Sequence, residues 1–483
     1  MKMKKKVLSV AVLAALGAGA AQAVNVSEDG TGQVILFPYY TVQGNEETYL
    51  QVTNTTGMGK AVKIRFREAA NSNEVLDFNI YLSPYDVWTG TITDAGEGAG
   101  IRTDDTSCTV PYLGSTPEPF RTYKMPDGAT AKDTKEGYVE IIEMGSIAVD
   151  NPHSVVDHDG DGHADFEHID GVPENCDTFL NNWKSAGTWA TSGGAVGLLP
   201  PSGGLFGALS IINANSGSQV GVNATSLEAV YDRVNHYDPG NDLPTLELAS
   251  PAISVILAND GLGNAAQLYV DDWTPSGVRA AANAVSATLT AASVMNGYSV
   301  NVDNYAASAW VITFPTRWMY SDQLNSNQAP FSAPFTSTGC EDVSLTLYDR
   351  EEHSVTNEDI DFSPRPVVPG KALCNEVNVL QFGESHVFSS DLTTFKIPEN
   401  DLPGNKGWLN MTFSGSQVLS GNANGNYYEG LPVIGFKAKV LGNGALPRAG
   451  SYGSAVNHVY NRVISGANGT PGVPAYSTAA PSS

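Results

Sequence analysis

Basic residues are scarce in this chain: 26 Lys and Arg stand against 51 Asp and Glu over 483 residues, a formal net charge of -25. That balance excludes the clustered positive patch that displaces counterions from nucleic acid, and it disfavours an anionic membrane surface as partner. Cysteine is also sparse, with four residues. None lies in a CxxC pair, so the ligand spacing of a zinc ribbon or a dithiol redox centre is missing. Long apolar runs are absent after the first two dozen residues, which leaves no later stretch able to span a bilayer. Catalytic signatures are lacking too. There is no G-x-S-x-G elbow, no H-E-x-x-H helix, no phosphate-binding glycine loop and no cysteine in a nucleophile context.

What is present begins at the N-terminus. Lysines at 2, 4, 5 and 6 precede the apolar run from Val7 to Leu16 and the small-residue site Ala21-Gln22-Ala23. This is the layout of a secretory signal peptide over 1–23, with an apolar core too short to be a spanning helix. Its removal takes away four lysines and no acid, so the charge moves from -25 to -29 over the remaining 460 residues. An oxidising destination suits the cysteines, and the spacing favours sequential bridges, Cys108 to Cys176 and Cys340 to Cys374, over the two other pairings and over free thiols.

Period-two alternation dominates the remainder. In Val62-Lys63-Ile64-Arg65-Phe66-Arg67 apolar and basic residues alternate as in a half-buried strand. Thr48–Val52 and Leu76–Leu82 repeat the pattern. Residues 94–203 read as a long insertion, poor in apolar residues, that a disulfide and an ion could order, with one strand at Gly137–Met144. Strands resume at Leu205–Ala214, Gln219–Ala224 and Leu246–Leu257. A helix is expected from Thr274 and Pro275, with Val278, Ala282, Val285, Leu289 and Ala292 on one face and Gly297 as its stop. Trp310–Pro315, Val343–Tyr348 and Ile434–Val440 are again strand-like. The expectation is a mainly β fold of antiparallel β-sandwich units, with a sandwich over 24–240, a β-rich domain over 241–465, one surface helix, and a disordered tail over 466–483.

The sharpest chemical feature is Asp157-His158-Asp159-Gly160-Asp161-Gly162-His163-Ala164-Asp165-Phe166-Glu167-His168. Carboxylates at alternate positions ahead of a glycine suit a hard, oxygen-binding cation. The stretch resembles the calcium loop of EF-hand and dockerin-type repeats, which implies a bound Ca2+. It departs from that pattern at position twelve, where His168 replaces the bidentate Glu, and the flanks are too rich in breakers for two helices. The candidate metal ligands are Asp157, Asp159, Asp161, His163, Asp165, Glu167 and His168. Rival readings are a merely solvated acidic loop, and a transition-metal site using His158, His163 or His168, whose five-residue spacing continues from His153.

Segments such as Trp310–Tyr320 and Tyr348-Asp349-Arg350-Glu351-Glu352 give the chain a resemblance to exported proteins of Gram-negative bacteria, which carries no catalytic residue across. Tyr39, Tyr40, Tyr85 and Trp88 are candidates for stacking on sugars, with core packing as the alternative for Trp88. Glu351 and Glu352 are the kind of acids a glycoside hydrolase would need, although such acids on a strand end are commonly just solvated. Together these features predict a secreted or cell-surface, calcium-stabilised structural or adhesive protein, whose partners would be further copies of itself or a surface polysaccharide or protein. The alternatives are an exported hydrolase of a polymer and a periplasmic or outer-membrane module binding by strand addition.

Overall fold

The computed structural model describes residues 23–150, 153–300, 306–320, 329–331, 340–356, 372–384, 386–390, 394–413, 418–421, 425–442, 451–466 and 472. The expected signal peptide and, apart from residues 466 and 472, the expected tail lie outside the described residues.

The chain is mainly β, in four large and nearly all antiparallel sheets. Sheet A has seven strands in the order Asn25–Val26, Thr225–Glu228, Val34–Thr41, Glu136–Ile147, Gly59–Glu68, Glu74–Leu82 and Cys108–Val110. Sheet B has six, in the order Ser218–Asn223, Leu205–Asn213, Glu46–Asn54, Val87–Asp94, Ala99–Arg102 and Glu118–Pro119. Ile35, Phe37, Ile64 and Phe66 of sheet A meet Leu50, Val52, Trp88 and Ile92 of sheet B in one apolar cluster. The strand Glu136–Ile147 runs through the middle of sheet A and so divides the apolar-poor stretch 94–203 into two excursions.

Sheet C pairs Ser354–Thr356, Glu341–Asp349, Lys406–Phe413, Ser293–Ser299 and Val459–Asn461 in that order. Sheet D runs Thr394–Ile397, Val377–Phe382, Ala306–Thr313, Ile434–Leu441 and Tyr452–Asn457, with the first pair parallel. Trp310 and Ile312 face Leu345, Leu347, Leu409 and Met411 across this second core. Alternation along Ala306–Thr313 sends Ala309 and Val311 the other way, where they join Tyr39 and Phe388 in the first cluster. The two sheet pairs therefore share apolar contacts, and the cluster containing Trp310 also includes Val24, Val34, Leu36 and Leu227.

Three differences from the sequence reading have physical causes. The strand Gly59–Glu68 is buried on both faces. Its basic residues find carboxylates on neighbouring strands: Lys60 meets Glu143 at 2.8 Å, Lys63 meets Asp77 at 3.0 Å, Arg65 pairs with Glu74, and Arg67 meets Glu140 at 2.9 Å. Residues 237–244 lie over this face and accept hydrogen bonds from Lys63 (Asn241 O, 2.6 Å), Arg65 (Pro244 O, 3.0 Å) and Asn79 (Tyr237 O, 3.0 Å). Second, the segment Leu246–Leu257 is a short 3-10 turn followed by the strand Ile253–Ala258.

Third, the helix is shorter and more enclosed than expected. Its α-helical part is Ala280–Leu289, with eight of its ten side chains buried, while Val278 is 92% exposed. Gly277, at φ 61 and ψ -125, breaks the first turn, and the residues up to Gly297 go instead into the strand Ser293–Ser299 of sheet C. Tertiary pairing with Lys406–Phe413 outweighs the helical pattern there. Among the described residues no helix is long and apolar enough to cross a membrane.

Both disulfides form with the sequential connectivity, Cys108–Cys176 and Cys340–Cys374. They close loops 68 and 34 residues long. On the chain-entropy account each contributes about 4 kcal/mol.

Candidate functional site

The acidic loop hangs on the outer face of sheet A. Ala61, Tyr81 and Met144 of that sheet pack against Val156, Ala164, Phe166, Phe179 and Trp189. The contact at Gly59 is especially close, because a Cβ there would fall 2.2 Å from the Phe166 ring. Phe179 belongs to a short helix, Asp177–Trp183, that the sequence reading did not foresee. It stacks on Tyr81 at 4.2 Å, and Cys176 just before it is bonded to Cys108 at the edge of sheet A.

With its ends fixed, the loop turns inward on its own backbone. Asp157 is buried and accepts from Gly160 N at 2.7 Å and Gly162 N at 3.2 Å. Asp159 accepts from Asp161 N at 3.1 Å, and Asp161 accepts from His163 N at 2.8 Å. Gly160 and Gly162 both take the left-handed conformation, φ 75 and 96, which lets three carboxylates face one another on so short a chain. Carboxylate oxygens of Asp157, Asp159 and Asp161 lie within 4.8 Å of one another.

The other expected ligands are engaged elsewhere. Asp165 is buried, accepting from His158 N at 3.2 Å and from the Thr178 hydroxyl. Glu167 accepts from Ala164 N at 2.9 Å and stands 3.8 Å from His163 Nδ1. His168 faces away, with Nδ1 3.3 Å from Ser83 Oγ and 4.0 Å from Asp86 Oδ2. His153 Nδ1 accepts from Val155 N at 3.2 Å. Among the described residues no group of three ligand atoms within 4.8 Å includes a histidine.

One acid in the neighbourhood was not foreseen. His168–Ile169 pairs with Val172–Pro173 around Asp170 and Gly171, both at positive φ, as a two-residue I′ turn requires. The hairpin brings Glu174 back beside the loop, where Glu174 N donates to Glu167 O at 3.1 Å. Lost hydration and the charges of Asp161, Asp159 and Asp165 raise the Glu174 carboxyl, with His163 opposing. No local spacing signals this residue; only the turn places it.

A second carboxylate group, Glu74, Asp77 and Asp242, makes an informative contrast. It is threaded with cations: Lys63 and Arg65 as above, and Lys124, which pairs with Glu74 at 2.7 Å and with Asp242. The loop aspartates have no such partner, since among the described residues no Lys or Arg nitrogen comes within 4.0 Å of Asp157, Asp159, Asp161 or Asp165. Three hard oxygen donors at this spacing, without an internal cation, fit a calcium-sized ion.

The candidate sugar-stacking residues divide sharply. Tyr39, Tyr40 and Trp88 are fully buried core residues, and Tyr85 is 73% exposed. Glu351 and Glu352 are exposed at a strand end. Fold and loop define a mainly β protein of antiparallel sheets, stapled by two disulfides and carrying a compact carboxylate loop. No family model, no curated protein and no solved structure matches the chain.

Proposed function

We propose that this is an exported, calcium-stabilised β-protein with a structural or adhesive role at or beyond the cell surface. The observation that carries the calcium part is the convergence of Asp157, Asp159 and Asp161 without a Lys or Arg among them, in contrast to the group Glu74, Asp77 and Asp242, which Lys63, Arg65 and Lys124 neutralise. Like charges held this close repel, and a divalent cation is the economical counter-charge. Export is supported by the two disulfides and the basic-then-apolar N-terminal sequence. A structural role is supported by the thick layering of sheets and by the lack of any catalytic signature.

The ion holds the excursion 153–204 against sheet A, since Asp157 and Phe166 lie on the same short loop. The test is calorimetric unfolding of the chain from Val24 onward with chelator and with about 10 mM calcium, a concentration above the roughly 0.1–1 mM affinity range of extracellular modules. The proposal expects a higher midpoint with calcium. An unchanged midpoint overturns it.

A further inference from the structure

Where the two sheet pairs meet, a cavity of about 590 Å³ opens between the segment 26–31, the turn at 223–226, the end of the helix at Leu289 and residues 433–434 and 457–462. Its size falls in the range of small-molecule sites, roughly 300–1,000 Å³, and junctions between packed units are where such sites occur. Two of its charged groups are prepared in different ways. Arg462 is half-buried beside Leu289, Val433 and Ile434, its Cζ 5.1 Å from the centre of the Tyr460 ring. Tyr460 is already committed, since its hydroxyl donates to Gly435 O at 3.1 Å and accepts from Gly435 N at 3.0 Å.

Among the described residues Arg462 has no carboxylate within 4.0 Å and makes no side-chain hydrogen bond. By contrast Arg65, Arg67, Arg102, Arg121, Arg233 and Arg317 each have a carboxylate partner. Arg279 and Arg350 also lack one, but the terminal nitrogens of Arg279 are sealed from solvent and Arg350 is exposed on a turn, whereas Arg462 borders the cavity. A half-buried guanidinium keeps its charge with part of its hydration lost, and its donors, open to the cavity, can take an acceptor. Six of the nine described arginines have a carboxylate partner, and of the three without one only Arg462 lines the cavity.

Asp29 provides the opposite pole. Its Oδ1 accepts from Ser27 Oγ at 2.8 Å, Thr31 N at 3.0 Å and Thr31 Oγ1 at 2.9 Å. Those bonds hold the carboxyl of this exposed residue below its usual range and engage Oδ1, so Oδ2 has no hydrogen bond among the described residues. Asn223 at the rim offers an amide, and the half-buried Phe206 ring forms part of the wall. An inorganic anion would meet repulsion from Asp29 and Glu28, and a simple cation would meet Arg462. A guest with one carboxylate and several neutral hydroxyls satisfies both poles, the carboxylate in the bidentate geometry of a guanidinium and the hydroxyls on Asp29 and Asn223.

We infer that this cavity binds a carboxylate-bearing sugar of the uronic acid class, with Arg462 taking the carboxylate, Asp29 and Asn223 the ring hydroxyls, and Phe206 an apolar ring face. The site is remote from the ion loop and rests on no part of the calcium reading, so binding is measured both with calcium and with chelator.

The experiment is isothermal titration of the chain from Val24 onward with galacturonate, galactose, acetate and glycine. Galacturonate should bind at least about tenfold more tightly than any of the other three, the worth of one charge-assisted pair. Arg462→Met should remove that preference, Asp29→Asn should weaken binding severalfold, and Arg233→Met, at an exposed pair, should leave it unchanged. If Arg462→Met does not fold, Asn223→Trp, which fills the rim, serves in its place and should abolish binding. Absence of galacturonate binding to the native chain, equal binding of acetate or glycine, or binding undiminished in the rim variant overturns the inference.

Discussion

Arg67 lays its guanidinium over the indole of Trp318, 4.0 Å from the ring centre, while its Nε meets Glu140 at 2.9 Å. Arg67 lies on a central strand of sheet A and Trp318 just after a strand of sheet D, so one buried cation ties the two sheet pairs together. Removing it would leave Glu140 with only Arg65, at 3.6 Å. Arg67→Met is expected to cost about 3–5 kcal/mol in urea unfolding, and the double variant Arg67→Met with Glu140→Leu to recover most of that loss. A double variant no better than the single one would mean that stacking on Trp318, not charge pairing, carries the energy.

Calcium at about 10 mM should raise stability by roughly 1.4–2.7 kcal/mol over a chelated sample, the linkage expected for one site of about 0.1–1 mM affinity. Asp159→Asn with Asp161→Asn removes two exposed carboxylates that hold no buried contact. The doubly substituted chain should fold normally and lose the calcium response. A preserved response would place the ion elsewhere.

Phe166 is fully buried against Gly59, and its ring packs near Phe179 at 5.6 Å. Phe166→Ala should cost about 3–5 kcal/mol. Because the ring belongs to the acidic loop, it should also weaken calcium binding and speed proteolytic cleavage within 153–204, while cleavage inside the sheets stays unchanged. Limited proteolysis followed by mass mapping reads this directly.

Stability should fall with rising pH above neutrality. Burial pushes the carboxyls of Glu46 and Glu376 up to about 8, against an ordinary value of 4.5, so the folded chain retains protons that the unfolded chain has released. Burial lowers His236 to about 4 and His458 to about 3, against 6.5 when unfolded, and their contribution is lost as pH falls through that lower region. From pH 6.5 to 8 the histidines no longer contribute and the slope comes from carboxyls that burial holds up, Glu46 and Glu376 together with Asp77, raised to about 7, at most about 1.4 kcal/mol per pH unit for each. Glu376→Gln should flatten the slope in urea titrations across this window. An unaltered slope would show that Glu376 ionises normally.

Much of the strand pattern is legible because it is local: Val62, Ile64 and Phe66 face one core, and Leu345 and Leu347 the other, by alternation alone. What covers a strand's second face is a tertiary fact. Lys63, Arg65 and Arg67 read as solvated, yet carboxylates from strands up to 75 positions away and a crossing segment enclose them. Tyr39 and Tyr40 likewise carry no sign of their burial, Tyr39 against Phe388 and Tyr40 against Phe66 and Phe120. In the loop, Asp157, Asp159 and Asp161 were visible because their spacing is their geometry. Glu174 was not, because it arrives through a hairpin, and the turning of Asp165 toward Thr178 depends on an unforeseen helix.

The earliest strands of the chain have consequences in time. Thr313 donates to Pro38 O across 275 positions, and Thr288 to Val24 O across 264. The strand Val34–Thr41 also waits for Thr225–Glu228 to complete its edge of sheet A. Such distant closure is slow, so Val24 and the strand Val34–Thr41 emerge long before residues 225–228, 288 and 313 exist, while Gly59–Glu68 and Glu74–Leu82 can already pair with each other.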